Sequence, residues 1–107
     1  MAATKISEAE QDVWPRRLKQ ARLEAGLSQR ELGIAAGIDP SVASARINRY
    51  EVGVHKADFR IAMRLAKVLD VPTAFLYADD DEIACVLITL HRATSARRKQ
   101  LIAQILG

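Results

Sequence analysis

Apolar side chains return along this chain at intervals of three and four residues, and no run alternates apolar with β-branched or polar residues as a strand would. The pattern predicts an all-α protein. Asp12 caps a first helix from about Trp14 or Pro15 to Ala25, with Leu18, Ala21 and Ala25 as its inner stripe and Gly26 as its stop. Leu32, Ala35 and Ala36 mark a second helix, Gln29 to Ala36. Val42, Ala43, Ile47 and Tyr50 mark a third, Pro40 to Tyr50. Phe59, Ala62, Leu65, Ala66 and Leu69 give a fourth behind the cap Asp58, and Pro72 opens a short fifth with Ala74, Phe75 and Leu76 beneath and Tyr77 at its end. Ile83 to His91 is apolar almost all round, which predicts burial on more than one side and makes Cys85 a small core residue. Thr94 or Ser95 caps a last helix, Ala96 to Leu106, with Leu101, Ile102, Ile105 and Leu106 on one face.

The punctuation between the second and third helices is the most specific part of the pattern. Ser28 and Glu31 make an S-x-x-E capping box at the start of the second helix. Gly33 is placed where another helix can cross closely, since no Cβ stands in the way. Gly37 closes the helix in the left-handed conformation, and Ile38 drops an anchor back onto it. Asp39-Pro40 then restarts the chain as N-cap and first helical residue. Two short helices joined by so tight a turn suit insertion into DNA.

Composition narrows the field. In 107 residues, half of them apolar but only five aromatic, one aliphatic, alanine-rich core is expected. No apolar run approaches the roughly 18 residues of a membrane span, and residues 1–12 lack the apolar segment of a secretion signal, so the expected compartment is the cytoplasm. One cysteine cannot form an internal disulfide. The net charge of +3 is unevenly spread: residues 15–67 carry eleven Lys/Arg against five Asp/Glu, whereas both flanks are slightly acidic. Basic charge gathered on the two-helix motif is the footprint of a phosphate-binding surface.

No set of side chains suggests catalysis or a cofactor. His55 and His91 have no Cys or carboxylate at ligand spacing, and Asp79, Asp80, Asp81 and Glu82 lack the glycine and spacing of a calcium loop, so helix capping explains them. With Val42, Ala43, Ile47 and Tyr50 turned inward, the third helix presents Ser41, Ser44, Ala45 and Asn48, flanked by Arg46 and Arg49. Asn pairs bidentately with adenine, Arg with guanine, and Ala touches a thymine methyl. Either arginine can instead grip a phosphate or a carboxylate. Trp14 can stack on a base, but four residues before Leu18 it is better read as a lid on the core.

RLKQARLEAGLSQRELG from Arg17 to Gly33, Gly37-Ile38, then Ile47 with Tyr50-Glu51 and Gly53, and FRIAMRLAKVLDVPTAFLY from Phe59 to Tyr77 resemble, in this order, the helix-turn-helix of the phage-repressor (Cro/cI, XRE) family. The resemblance covers roughly two thirds of the chain. It implies a five-helix DNA-binding domain over residues 13–78, after a flexible arm of residues 1–12 and before a C-terminal helical hairpin, residues 79–107, that belongs to the same compact unit. One departure is that Gly37 to Glu51 exceeds the family pattern by about four residues, one helical turn, in or next to the reading helix. The resemblance also implies that Gln29 lies against the DNA backbone and that Glu51, a carboxylate where phosphate should repel it, pairs with Arg22. The spare donors of Arg22 and the loop carrying His55 and Lys56 would meet phosphates too.

The expected function is therefore a sequence-specific regulator binding double-stranded DNA, with no small-molecule effector evident. The alternative is a protein-interaction module, an antitoxin or adaptor, built on the same fold. The last two helices offer more apolar surface than five packed helices need, which predicts a two-fold homodimer assembled through them. Their folding back over the fourth and fifth helices to complete a monomer's core is the competing arrangement.

Overall fold

A computed structural model describes residues 12–107, so that of the proposed N-terminal arm only Asp12 falls within it. Among the described residues the chain is helical without strands: α1 Val13–Glu24, α2 Gln29–Ala35, α3 Ala43–Glu51, α4 Phe59–Leu69, a 3-10 turn Thr73–Tyr77, α5 Asp81–Arg92 and α6 Ser95–Leu106. The expected fifth helix of the domain is that 3-10 turn. Pro72 precedes it, its bonds run Phe75 N–H to Pro72 O and Ala78 N–H to Phe75 O, and five residues are too few to develop α-helical pairing. None of these helices is long and apolar enough to cross a membrane.

Leu18 of α1, Leu32 of α2, Ile47 of α3, Leu65 of α4, and Phe75 and Leu76 of the 3-10 turn are fully buried and form the centre of one core. Alanines let the helices approach: Ala21, Ala36, Ala43, Ala62 and Ala66 are also buried. The tightest approach is between α2 and α3, where a Cβ built on Gly33 would stand 2.8 Å from Ala43 Cβ and 3.1 Å from both Ala43 Cα and O. Gly33 is thus the residue that lets α3 cross α2 so closely. Gly37, at φ +89°, ends α2 with Gly37 N–H on Ile34 O and Ile38 N–H on Gly33 O, and Ile38 is 5% exposed, the anchor of that turn.

The third helix differs from the sequence expectation. It starts at Ala43, not Pro40, because the Asp39 carboxylate accepts Ser41 N–H (2.8 Å) and Ser41 Oγ–H, closing a turn over residues 39–41. The Ser41 bonds also hold the Asp39 carboxyl below its usual pKa. Val42, left outside the helix, is exposed rather than inward. Four other inner positions also turn out exposed. Ala25 lies beyond the last turn of α1; Ala35 faces away from the Leu32, Gly33, Ala36 side of α2; and Ala74 faces out of the 3-10 turn. Phe59 opens α4 and has no preceding turn to lie on. Asp12 makes no side-chain cap; its carbonyl accepts Arg16 N–H instead.

The C-terminal hairpin is attached through few residues. Of α5 only Ala84 is buried, with Leu87 and Ile88 half in, so the expectation of burial on several sides fails; Cys85 is exposed and is not a core residue. Asp80 caps α5 by accepting Ile83 N–H, the role expected for one member of the acidic run. Another member does something the sequence pattern did not suggest. Asp81 accepts from Arg17 Nη2 at 2.8 Å, while Arg17 Nε donates to Ala78 O at 2.9 Å and the guanidinium lies 5.5 Å from the Phe75 ring centre. Arg17 is 2% exposed, and its hydrogen bond and charge hold the Asp81 carboxyl below its ordinary pKa. At the far end, Asp70 meets His91 and Arg92, and Arg98 of α6 donates to the last carbonyls of α5, Leu90 O and His91 O. No residue of α6 is buried.

Candidate nucleic-acid interface

On α3 the buried residues Ala43, Ile47 and Tyr50 fix which side looks outward. At about 100° per residue, Ala45, Asn48 and Arg49 lie opposite them, while Arg46 sits on one flank and Ser44 and Glu51 on the other. Ala45, Asn48, Arg49 and Ser44 are exposed; Arg46 is half-buried. Ser41 is exposed but lies in the turn ahead of the helix, its hydroxyl engaged with Asp39. The six residues singled out as base-facing are therefore an outward trio, two flanking residues and one loop residue.

The Glu51 flank is built around a nearly closed ion pair. Arg22 Nε and Nη2 donate to the two carboxylate oxygens of Glu51 at 2.5 and 3.0 Å, and Arg22 Nη1 donates to Leu27 O at 2.9 Å. The two side chains are 10% and 4% exposed. Gln29 Nε2, at 3.2 Å from Glu51 Oε1, completes the cluster, so α1, α2 and the end of α3 are joined at one point. The hydrogen bonds to Glu51 raise the Arg22 pKa, keeping the guanidinium charged. This fork geometry uses three of its five N–H groups.

The opposite flank carries an aromatic support. Arg46 Nη2 donates to Tyr50 Oη at 2.8 Å, its guanidinium carbon lies 5.8 Å from the Tyr50 ring centre, and Trp14 meets Tyr50 edge to face at 6.0 Å. Trp14 is a partly buried lid on the core, and its Nε1–H is enclosed without a partner. His55 and Lys56 are exposed in the loop after α3, which is folded back by bonds from Val54 N–H and His55 N–H to Arg49 O. Beside them a surface groove of about 270 Å³ runs between Trp14, Gly53, Lys56 and Tyr77. Arg17 and the Arg46–Tyr50 contact were missed from sequence. Their traces were an arginine next to Leu18 on the inner side of α1 and an Arg-x-x-x-Tyr spacing on α3.

No group of three or more His, Cys, Asp or Glu side chains stands together for a metal among the described residues. A search of the curated proteins found no match. The crystal structure of transcriptional regulator BswR is similar to this chain, at 42% sequence identity and a TM-score of 0.79, over 85% of this chain and 90% of that one. The helix-turn-helix family model HTH_3 matches residues 18–76, more than half of the chain. That segment runs from Leu18 of α1 to Leu76 of the 3-10 turn, enclosing the Arg22–Glu51 pair, the Gly33 crossing and α3 whole. The chain belongs to the XRE-type helix-turn-helix family of non-enzymatic, DNA-binding regulators.

Proposed function

We propose that this protein is a sequence-specific transcriptional regulator that lays α3 in the major groove of double-stranded DNA. The observation that carries this reading is the outward face of α3, where Ala45, Asn48 and Arg49 stand exposed while each flank holds an arginine anchored by neighbours. Asn48 and Arg49 read base edges, Ser44 and Ser41 lie at the margin, and Arg22, Gln29, His55 and Lys56 set the helix against the backbone. The selected operator from a random DNA pool is the first test, with binding expected to weaken steeply as salt rises.

Two variants then separate reading from positioning. Asn48→Ala should lose about 1 to 3 kcal/mol on the selected operator and little on random DNA. Lys56→Ala should weaken both alike and reduce the salt slope by roughly one counterion. Lys56 is the cleaner choice here than Gln29, whose amide also bonds Glu51. Equal losses on both DNAs for Asn48→Ala would reduce that residue to a positioning role.

The assembly we propose is a homodimer joined through α5 and α6. Ile83, Val86, Ile102, Ile105 and Leu106 are all exposed, from 39% to 80%, on helices that give the core one buried residue, Ala84. Covering that surface with its equivalent removes it from water and pairs two reading helices, roughly 34 Å apart, on an inverted repeat. Sedimentation at micromolar concentration should give a dimer that Ile102→Glu with Ile105→Glu converts to monomer. A wild-type monomer, or a dimer indifferent to these changes, excludes this interface.

A further inference from the structure

We infer that the Tyr50 hydroxyl is a positioning group for DNA binding: it presets Arg46 as a phosphate clamp on the flank of α3 opposite the Arg22–Glu51 pair. The inference rests on the DNA-binding reading above and revises the part of Arg46 in it, from base contact to backbone contact.

The argument starts from where Arg46 sits. It follows Ala45 and precedes the fully buried Ile47, one helical turn before Tyr50, and is half-buried against that ring. A helix lying in a groove about 12 Å wide turns its outward residues to the base edges and its flanks to the walls, which are lines of phosphates. Arg46 is on a flank, and its guanidinium is drawn along the helix toward Tyr50, not out past Ala45 and Asn48. One N–H goes to Tyr50 Oη at 2.8 Å, leaving four, and no carboxylate lies within ion-pair distance of it among the described residues. The group is therefore held in place with most of its donors free of protein partners among the described residues.

The support for this arginine is itself fixed. Tyr50 is 5% exposed, so its ring is held by the core, and Trp14 meets it edge to face with 6.0 Å between ring centres. The hydroxyl is the part of Tyr50 that the core does not need: Ala43 and Ile47 continue the same buried stripe with no polar atom. On the other flank, Glu51 and Leu27 O orient Arg22 with three hydrogen bonds. The two guanidiniums thus straddle the outward face of α3, each already ordered before DNA arrives. Ordering a long side chain in advance removes that entropy loss from binding.

The test is a double-mutant cycle on binding to DNA, with Tyr50→Phe, Arg46→Ala and the pair, each checked for an unchanged melting curve. Tyr50→Phe keeps the ring and its packing and removes only the hydroxyl. Alone, it should weaken binding about three- to tenfold, equally on operator and random DNA, because a phosphate contact carries no sequence information. In the Arg46→Ala background it should change nothing, and Arg46→Ala should lower the salt slope by roughly one. A loss of the same size in both backgrounds would make the hydroxyl's role merely structural, and no loss in either would leave it without a role. A loss confined to one base pair of the operator would return Arg46 to base reading. Wild-type protein with no salt-dependent DNA binding would instead remove the reading on which the inference rests.

Discussion

Arg22→Ala should lower the folding stability by about 3 kcal/mol or more, as expected when one partner of a buried ion pair is deleted and the other charge is left enclosed. Glu51 is 4% exposed at its side chain, and without Arg22 its only remaining side-chain partner among the described residues is one N–H of Gln29. Against a total of roughly 5 to 15 kcal/mol for a small domain, that is a large share. It corresponds to a fall in melting temperature on the order of 15 °C. Glu51→Ala should do less harm, since the freed guanidinium keeps Leu27 O and can reach water at the rim. Replacing both at once, Arg22→Met with Glu51→Leu, should recover much of the stability because an apolar pair of similar volume leaves no charge unpaired. It should not recover DNA affinity, since the guanidinium donors are gone. Thermal melting of the three variants beside their DNA dissociation constants checks this. A double variant no more stable than Arg22→Ala would show that the loss does not come from a stranded charge and that apolar packing cannot replace the hydrogen-bonded pair.

Gly33→Ala is expected to be the most damaging single methyl. Alanine favours a helix over glycine by about 0.8 to 1 kcal/mol, so in an open position the change would stabilise α2. Here the added carbon arrives 2.8 Å from Ala43 Cβ and 3.1 Å from that residue's backbone, and backbone cannot swing aside as a side-chain tip does. Overpacking of this kind costs about 1 to 3 kcal/mol and wins over the propensity gain. The relief available is a shift of the start of α3 away from α2, which tilts the reading helix relative to the Arg22 anchor at its other end. DNA affinity should therefore fall more than stability does. Calorimetry and a binding titration on the same preparation decide it, and a variant as stable and as tight-binding as the parent would refute a close crossing at Gly33.

What was legible from the sequence was local. The capping box at Ser28 and Glu31 and the caps of Asp58 and Thr94 are set by neighbours three residues away, and each is present. So is the Gly37-Ile38 closure, because only a residue tolerant of positive φ ends that helix with the next side chain anchored. Asp39-Pro40 misled because an Asp suits a cap and a turn equally, and Ser41 two residues on decides for the turn. Arg17 misled for the opposite reason. Besides the nearby Gln20, its partners Ala78 O and Asp81 are more than sixty positions away, and a buried arginine is invisible to a pattern that sorts charge outward. The apolar run of α5 suggested burial that this single chain does not supply, which is why Cys85 stands exposed. At the site, the helix period put Ala45 and Asn48 outward, but it set Arg49 on a flank and Ser41 on the face because the helix was started at Pro40, and Arg46 could be placed only from its bond to the Tyr50 hydroxyl.

α3 begins without a side-chain cap. Ser28, Asp58, Asp80 and Thr94 each accept a first-turn N–H for α2, α4, α5 and α6, whereas Val42 offers α3 no side-chain acceptor. A missing side-chain cap leaves the first turn of α3 easier to open by about 1 kcal/mol than those of α2, α4, α5 and α6, while its last turn is clamped by Arg22. Amide exchange in α3 is therefore expected to be faster at its first turn than at its last, with the Gly33–Ala43 contact limiting the opening to fraying rather than movement of the whole helix.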